Sequence, residues 1–116
     1  MNTITLSNIL YNAVPNEGFA IYGWVDNESD YNSNVVYNDP TKKPVWSIVE
    51  SGQDPEQWKV VRGERNKKLL SCDWTQLDDV PITSEKKTEW ETYRQVLRDV
   101  TTQSDPFNIT WPTPPE

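Results

Sequence analysis

Two stripes of apolar residues at helical spacing, separated by the run CDWTQLDDVPI from Cys72 to Ile82, constrain the fold of this 116-residue chain more than any other feature. The first stripe holds Trp58, Val61, Leu69 and Cys72, with Arg65 interposed, whose aliphatic stem can lie along apolar surface. Asp54 is the expected N-cap, Pro55 fits the first helical position where its missing N–H is harmless, and Gln57 stands at the capping-box position. The second stripe holds Trp90, Tyr93, Leu97 and Val100, opened by Thr83 or Ser84 as cap, with Glu85 near the positive end of the helix dipole. Two amphipathic helices so joined make a helical hairpin.

The first half follows a different period. In GFAIYGWVD, Phe19, Ile21 and Val25 alternate with Ala20, Tyr22 and Trp24, the spacing that sends neighbours to opposite faces of a strand. NTITLSNIL, with Ile4 and Leu6, is a second candidate, and NVVYND and KPVWSIVE bracket the turn Asn38-Asp39-Pro40-Thr41. Three or four short antiparallel strands are therefore expected, with loops at VPNEG and DNESDYNSN. After the second helix, SDPFNITWPTPPE holds four of the nine prolines and is expected to be extended, with Phe107, Ile109 and Trp111 alternating along a strap. The predicted architecture is α+β: a small antiparallel β region at 1–52, then a helical-hairpin domain with an extended Pro-rich tail at 53–116.

Composition bounds the chemistry. Without histidine and with a single cysteine, the chain lacks a Cys/His or Ser/His pair, a Cys/His zinc set and an internal disulfide. A net charge of −7 argues against a nucleic-acid partner, since phosphate neutralisation needs concentrated Lys and Arg. Up to Gly52 there are six acids and two bases, and beyond it twelve acids and nine bases, the mixed charge of exposed helix faces. No apolar run approaches the roughly 20 residues that span a bilayer, and nothing resembles a signal peptide, so a soluble protein made in a cytosol is expected.

The remaining motifs weigh toward structure. Asp73 is a lone carboxylate with no second acid, His or metal beside it, and is better read as the cap of a short turn with Gln76 at the capping-box position, while Trp74 packs between the helices. Arg94 and Arg98 lie four apart on the second helix, and Arg62 and Arg65 three apart on the first. They would either grip a partner's carboxylates or pair internally with Asp73, Asp78, Asp79 or Asp99, and the abundance of nearby acids favours the internal pairs. Asp26, Glu28 and Asp30 alternate like the start of a calcium loop, but Tyr31 stands at the glycine position and Tyr37 at that of the bidentate Glu. No metal or cofactor is called for. Two helices bury little alone, so their aromatic stripes need the sheet, the tail or another chain to cover them.

The second half resembles the tail assembly chaperone domain of bacteriophages, a domain also found on tail-fibre and tail-fibre-assembly proteins. The resemblance is carried by Arg62 and Arg65 on a helix ending in Leu69-Leu70, then Asp73-Trp74-Thr75, the helix pattern Trp90, Tyr93-Arg94, Leu97-Arg98-Asp99, and closing Trp111-Pro112. Asn66 departs from it where family members tend to have Asp. The resemblance implies a non-enzymatic role in tail morphogenesis, binding a tail, tail-fibre or baseplate protein in the host cytoplasm during assembly; the alternative is a minor structural component of the virion tail. Trp74, Trp90, Tyr93, Arg94, Arg98 and Trp111 form the expected partner-binding or hairpin-organising set. An open β edge in the first half would permit pairing with a second copy.

Overall fold

A computed structural model describes the whole chain, Met1–Glu116, and divides it into two compact units, Met1–Gln57 and Trp58–Glu116. The first is mostly helical. It contains α1 (Thr3–Ala13), β1 (Phe19–Ile21), α2 (Glu28–Asn34), β2 (Val35–Tyr37), a 3-10 turn at Pro40–Lys42 and the start of α3 (Trp46–Ser71). Its sheet is a two-stranded antiparallel ladder with Phe19 opposite Tyr37, Ala20 opposite Val36 and Ile21 opposite Val35.

Three segments of this unit differ from the expected strands and loops. NTITLSNIL is α1, not a strand. Asn2 caps it by accepting from the Ile4 N–H at 2.7 Å, and the buried residues Leu6, Ile9 and Leu10 recur at three and four, whereas Ile4 is exposed. The Ile4/Leu6 alternation thus belongs to a helix whose packed stripe outweighs the strand preference of its β-branched residues. DNESDYNSN is α2 rather than a loop: Asn27 accepts from the Asp30 N–H at 2.9 Å, Glu28 and Asp30 sit in the first turn, and Tyr31 is buried. KPVWSIVE leads into α3, with Val49 in the core and Trp46 against Tyr31 at 5.7 Å between ring centroids.

Asp54 therefore lies inside α3 and is not its N-cap, and Pro55 is an interior proline. A proline there gives no N–H to the carbonyl four residues back, a loss that burial of Val49 and Trp46 on the preceding turns offsets. Gly52 matters on the same stretch. A Cβ there would stand 2.8 Å from Ile9 Cγ2, so only glycine lets α1 approach α3 so closely.

The core of this unit gathers Leu6, Ile9, Leu10, Val25, Tyr31, Val35, Tyr37 and Val49. Tyr31 donates its hydroxyl to the Pro44 carbonyl at 2.7 Å, and burial pushes its pKa up to about 12. Lys43 crosses its ring, with Nζ 4.6 Å from the centroid, and donates to the Val35 carbonyl at 2.6 Å.

The second unit begins with the rest of α3, continues through a 3-10 turn at Asp73–Gln76 to α4 (Ser84–Arg98), and closes with a 3-10 turn at Asp99–Thr102. Thr83 caps α4, its hydroxyl accepting from the Lys86 N–H at 3.1 Å. Buried Cys72, Tyr93 and Leu97 form the core, with Leu69, Trp90 and Trp111 packed against them. Beyond Thr102 no helix or strand forms. That segment is organised by side chains: Gln103 and Thr110 exchange two hydrogen bonds of 3.1 and 2.9 Å, and Asp105 accepts from the Phe107 N–H at 2.9 Å. No helix in the chain is long and apolar enough to cross a membrane.

Candidate functional site at the hairpin junction

The last turn of a helix leaves carbonyls without i→i−4 partners, and at the end of α3 the Leu69 carbonyl takes the Cys72 N–H at 3.2 Å and a second donor from α4. Arg94 Nη1 donates to the Leu69 carbonyl at 3.0 Å and to Cys72 Sγ at 3.2 Å, while Nη2 lies 2.9 Å from Asp73 Oδ1. A guanidinium carries several donors in a planar fork, so one side chain can serve carbonyl, sulfur and carboxylate together. Its positive charge also faces the negative end of the α3 dipole. Burial disfavours the charge, but hydrogen bonds to Cys72 and Asp73 outweigh that and raise the Arg94 pKa above its ordinary value. Arg94 therefore works inside the hairpin.

Cys72 is the hub of this junction. Its thiol is within 3.3 Å of the Lys68 carbonyl, its own carbonyl accepts from the buried Thr75 hydroxyl at 2.7 Å, and Gln76 in turn donates to Thr75 at 2.9 Å. Tyr93 packs beside it, and burial, followed by the proximity of Cys72, raises its phenol pKa.

Asp73 was expected as a cap and is not one. It is the first residue of the 3-10 turn, whose preceding residue Cys72 makes no side-chain capping bond; the Asp73 carboxylate turns to Arg94 instead. A charge-assisted pair across the hairpin replaces the weaker local bond. Trp74 departs from the expected buried wedge. It is 49% exposed, inclined at 60° to Trp90 with centroids 6.2 Å apart, and Trp90 meets Tyr93 edge to face at 5.6 Å. One side of Trp74 is thus against the hairpin and about half of the residue is in solvent; Leu77, whose N–H donates to the Trp74 carbonyl at 3.4 Å, is also exposed.

The other candidates lie apart. Arg98 is exposed and pairs with no carboxylate; Asp99 instead accepts from Gln95. Arg62 is exposed, and Arg65 donates to Asn66 Oδ1 at 3.2 Å. Trp111 packs on the Cys72 cluster beneath Lys68, whose Nζ is 5.3 Å from its ring centroid. With α4 the C-terminal segment borders a shallow groove of about 310 Å³, lined by Glu89, Thr92, Tyr93, Val96, Pro112, Thr113 and Pro115. No group of three or more Cys, Asp or Glu gathers as a metal site.

Sequence reasoning missed the central place of Cys72 and Thr75. The available signal was a Thr three residues beyond the cysteine that follows α3, placed to donate to its carbonyl.

The hairpin, its Arg94 lock and the docked Trp111 coincide with a known sequence family: residues 58–116 match the phage tail assembly chaperone protein family. The chain belongs to that family. The matched residues are the same as those of the second compact unit, so the family pattern and the hairpin fold share one boundary. No curated protein and no solved structure matches the chain.

Proposed function

We propose that this tail assembly chaperone is a non-enzymatic binding protein that engages a tail, tail-fibre or baseplate protein in the host cytoplasm through the hairpin junction. The observation that carries this reading is the half-bare indole of Trp74. A large aromatic ring seated against Trp90, with exposed Leu77 three residues on, has the character of an interface anchor: apolar, rigidly based and still accessible. Arg94, Asp73 and Tyr93 act as organisers that fix the turn carrying it. Trp111 and the Pro-rich segment serve as an extended strap that shields the other side of the hairpin, supported by the packing of Trp111 on the Cys72 cluster.

The test separates organisers from contacts. Trp74→Ala is expected to abolish capture of the tail client while lowering the melting temperature by only a few degrees, whereas Arg94→Ala should lower it by clearly more. Retained capture by a folded Trp74→Ala variant would refute the assignment. Mass spectrometry of purified particles then decides between the two modes of action: absence from virions supports transient chaperoning, and a defined copy number there makes the protein a virion component.

A further inference from the structure

Residues Met1–Gln57 lie outside the family match, and one surface of this unit has no role in its core. The β1–β2 ladder has an inner face, where Phe19 stacks on Tyr37 at 5.4 Å, and an outer face carrying Ala20 and exposed Val36. Just past β1, the Tyr22 N–H donates to the Asn34 carbonyl at 2.7 Å, and Asn34 Nδ2 donates to the Trp24 carbonyl at 2.8 Å. Both backbones are thus pinned to the end of α2. Yet Tyr22 is 75% and Trp24 62% exposed, and neither ring pairs with another aromatic.

The side-chain charge of this unit is one-sided, although beside Trp24 the Met1 ammonium pairs with Asp26 at 2.7 Å and the Trp24 side chain bonds to the same carboxylate. This unit carries eight acidic residues against two lysines, a formal side-chain charge of −6, whereas Trp58–Glu116 carries ten acids and nine bases. Both lysines are engaged: Lys42 with Glu17 at 3.3 Å, and Lys43 with backbone carbonyls and the Tyr31 ring. Glu28 and Asp30, in the first turn of α2 just after Trp24, have no Lys or Arg partner.

We propose that Val36, Tyr22 and Trp24 form a docking surface for a Lys- or Arg-bearing segment of a partner polypeptide. A cationic head lies over the aromatic faces, its aliphatic stem covers Val36, and Glu28 draws the charge in. An acidic surface repels nucleic acid and anionic bilayers, which leaves a basic protein segment as the matching occupant. The surface is built only from residues of Met1–Gln57, and the proposal stands whether or not Trp74 contacts a client.

The test is titration of the full-length, nitrogen-labelled protein with an oligo-arginine peptide, read by magnetic resonance, with oligo-glutamate as control. The indole N–H signal of Trp24 should shift with arginine peptide alone, and the affinity should fall as salt is added. Replacing both Tyr22 and Trp24 with alanine should weaken binding about tenfold with only a small drop in melting temperature, since both rings are largely in solvent and the one bond lost is that of Trp24 to exposed Asp26. Several outcomes would overturn the proposal: no shift at Trp24, undiminished binding by the double variant, stronger binding to anionic vesicles, or a Trp24 shift that tracks protein concentration without peptide and so reports a second copy.

Discussion

Arg94 reaches from α4 to Asp73, 2.9 Å from Nη2 to Oδ1, and with its other arm holds the Leu69 carbonyl and the Cys72 sulfur. The pair is unequal, because Arg94 is buried and Asp73 is about half exposed. Removing the arginine takes a charged donor from the Leu69 carbonyl, which keeps only the Cys72 N–H and thiol, and from the buried Cys72 sulfur, whereas removing the carboxylate loses one partly screened contact. Arg94→Ala should therefore cost about 2–3 kcal/mol and Asp73→Asn less than about 1 kcal/mol, measured as shifts of the urea midpoint. Arg94→Lys should recover only part of the loss, since an ammonium cannot span the three acceptors.

The two tryptophans at the junction should separate in the same measurement. Trp90 packs against the Cys72 cluster and touches both Trp74 and Tyr93. Trp90→Ala is expected to cost about 3 kcal/mol or more, and Trp74→Ala about 1 kcal/mol, because the solvent-facing half of Trp74 contributes little to the fold. Equal losses would show that Trp74 belongs to the core.

Two glycines of α3 should respond in opposite directions. A Cβ at Gly63 meets nothing within 4 Å, so Gly63→Ala should stabilise by about 0.5–1 kcal/mol through helix propensity and a less flexible unfolded chain. At Gly52 the added methyl would press on Ile9 Cγ2, and Gly52→Ala should destabilise by about 1–3 kcal/mol. Thermal melts of the two variants check both signs.

Alkali should weaken the first unit through Tyr31. Its pKa is 10.0 in the unfolded chain and about 12 when folded, so between those values the native state holds the proton more tightly. That contribution is complete below pH 10 and disappears as the pH rises toward 12, a loss on the order of 2–3 kcal/mol. Burial raises Tyr37 and Tyr93 in the same direction. A Tyr31→Phe variant should therefore show a shallower, though not flat, fall of melting temperature across this range.

The legible parts of this fold are those set by residues within about one helical turn of each other. Thr83 as the cap of α4, the Trp90, Tyr93, Leu97 stripe and the stop of α3 before Asp73 all follow from local spacing and capping chemistry. The strand signal in GFAIYGWVD and NVVYND also appears where expected, though the ladder is only three residues long on each side. Local rules misread the first half because they were ambiguous there. Ile4 and Leu6 fit either period, Asp54-Pro55 is a helix-opening pair that here lies inside a helix already begun at Trp46, and Asn-rich DNESDYNSN caps a helix as well as it makes a loop.

Tertiary structure alone decided those cases, by choosing which side chains a core would accept: Leu6 with Ile9 and Leu10, Val49 with Trp46, Tyr31 with Pro44. It also decided the role of Asp73 and Arg94. Composition and spacing put an acid and an arginine on a helical hairpin, but the bonds from Arg94 to Leu69 and Cys72 join residues 25 and 22 positions apart. No local rule reaches so far, because a contact of that separation forms only when two helices have already packed, and it is the packing that brings the carbonyl, the sulfur and the carboxylate to one guanidinium.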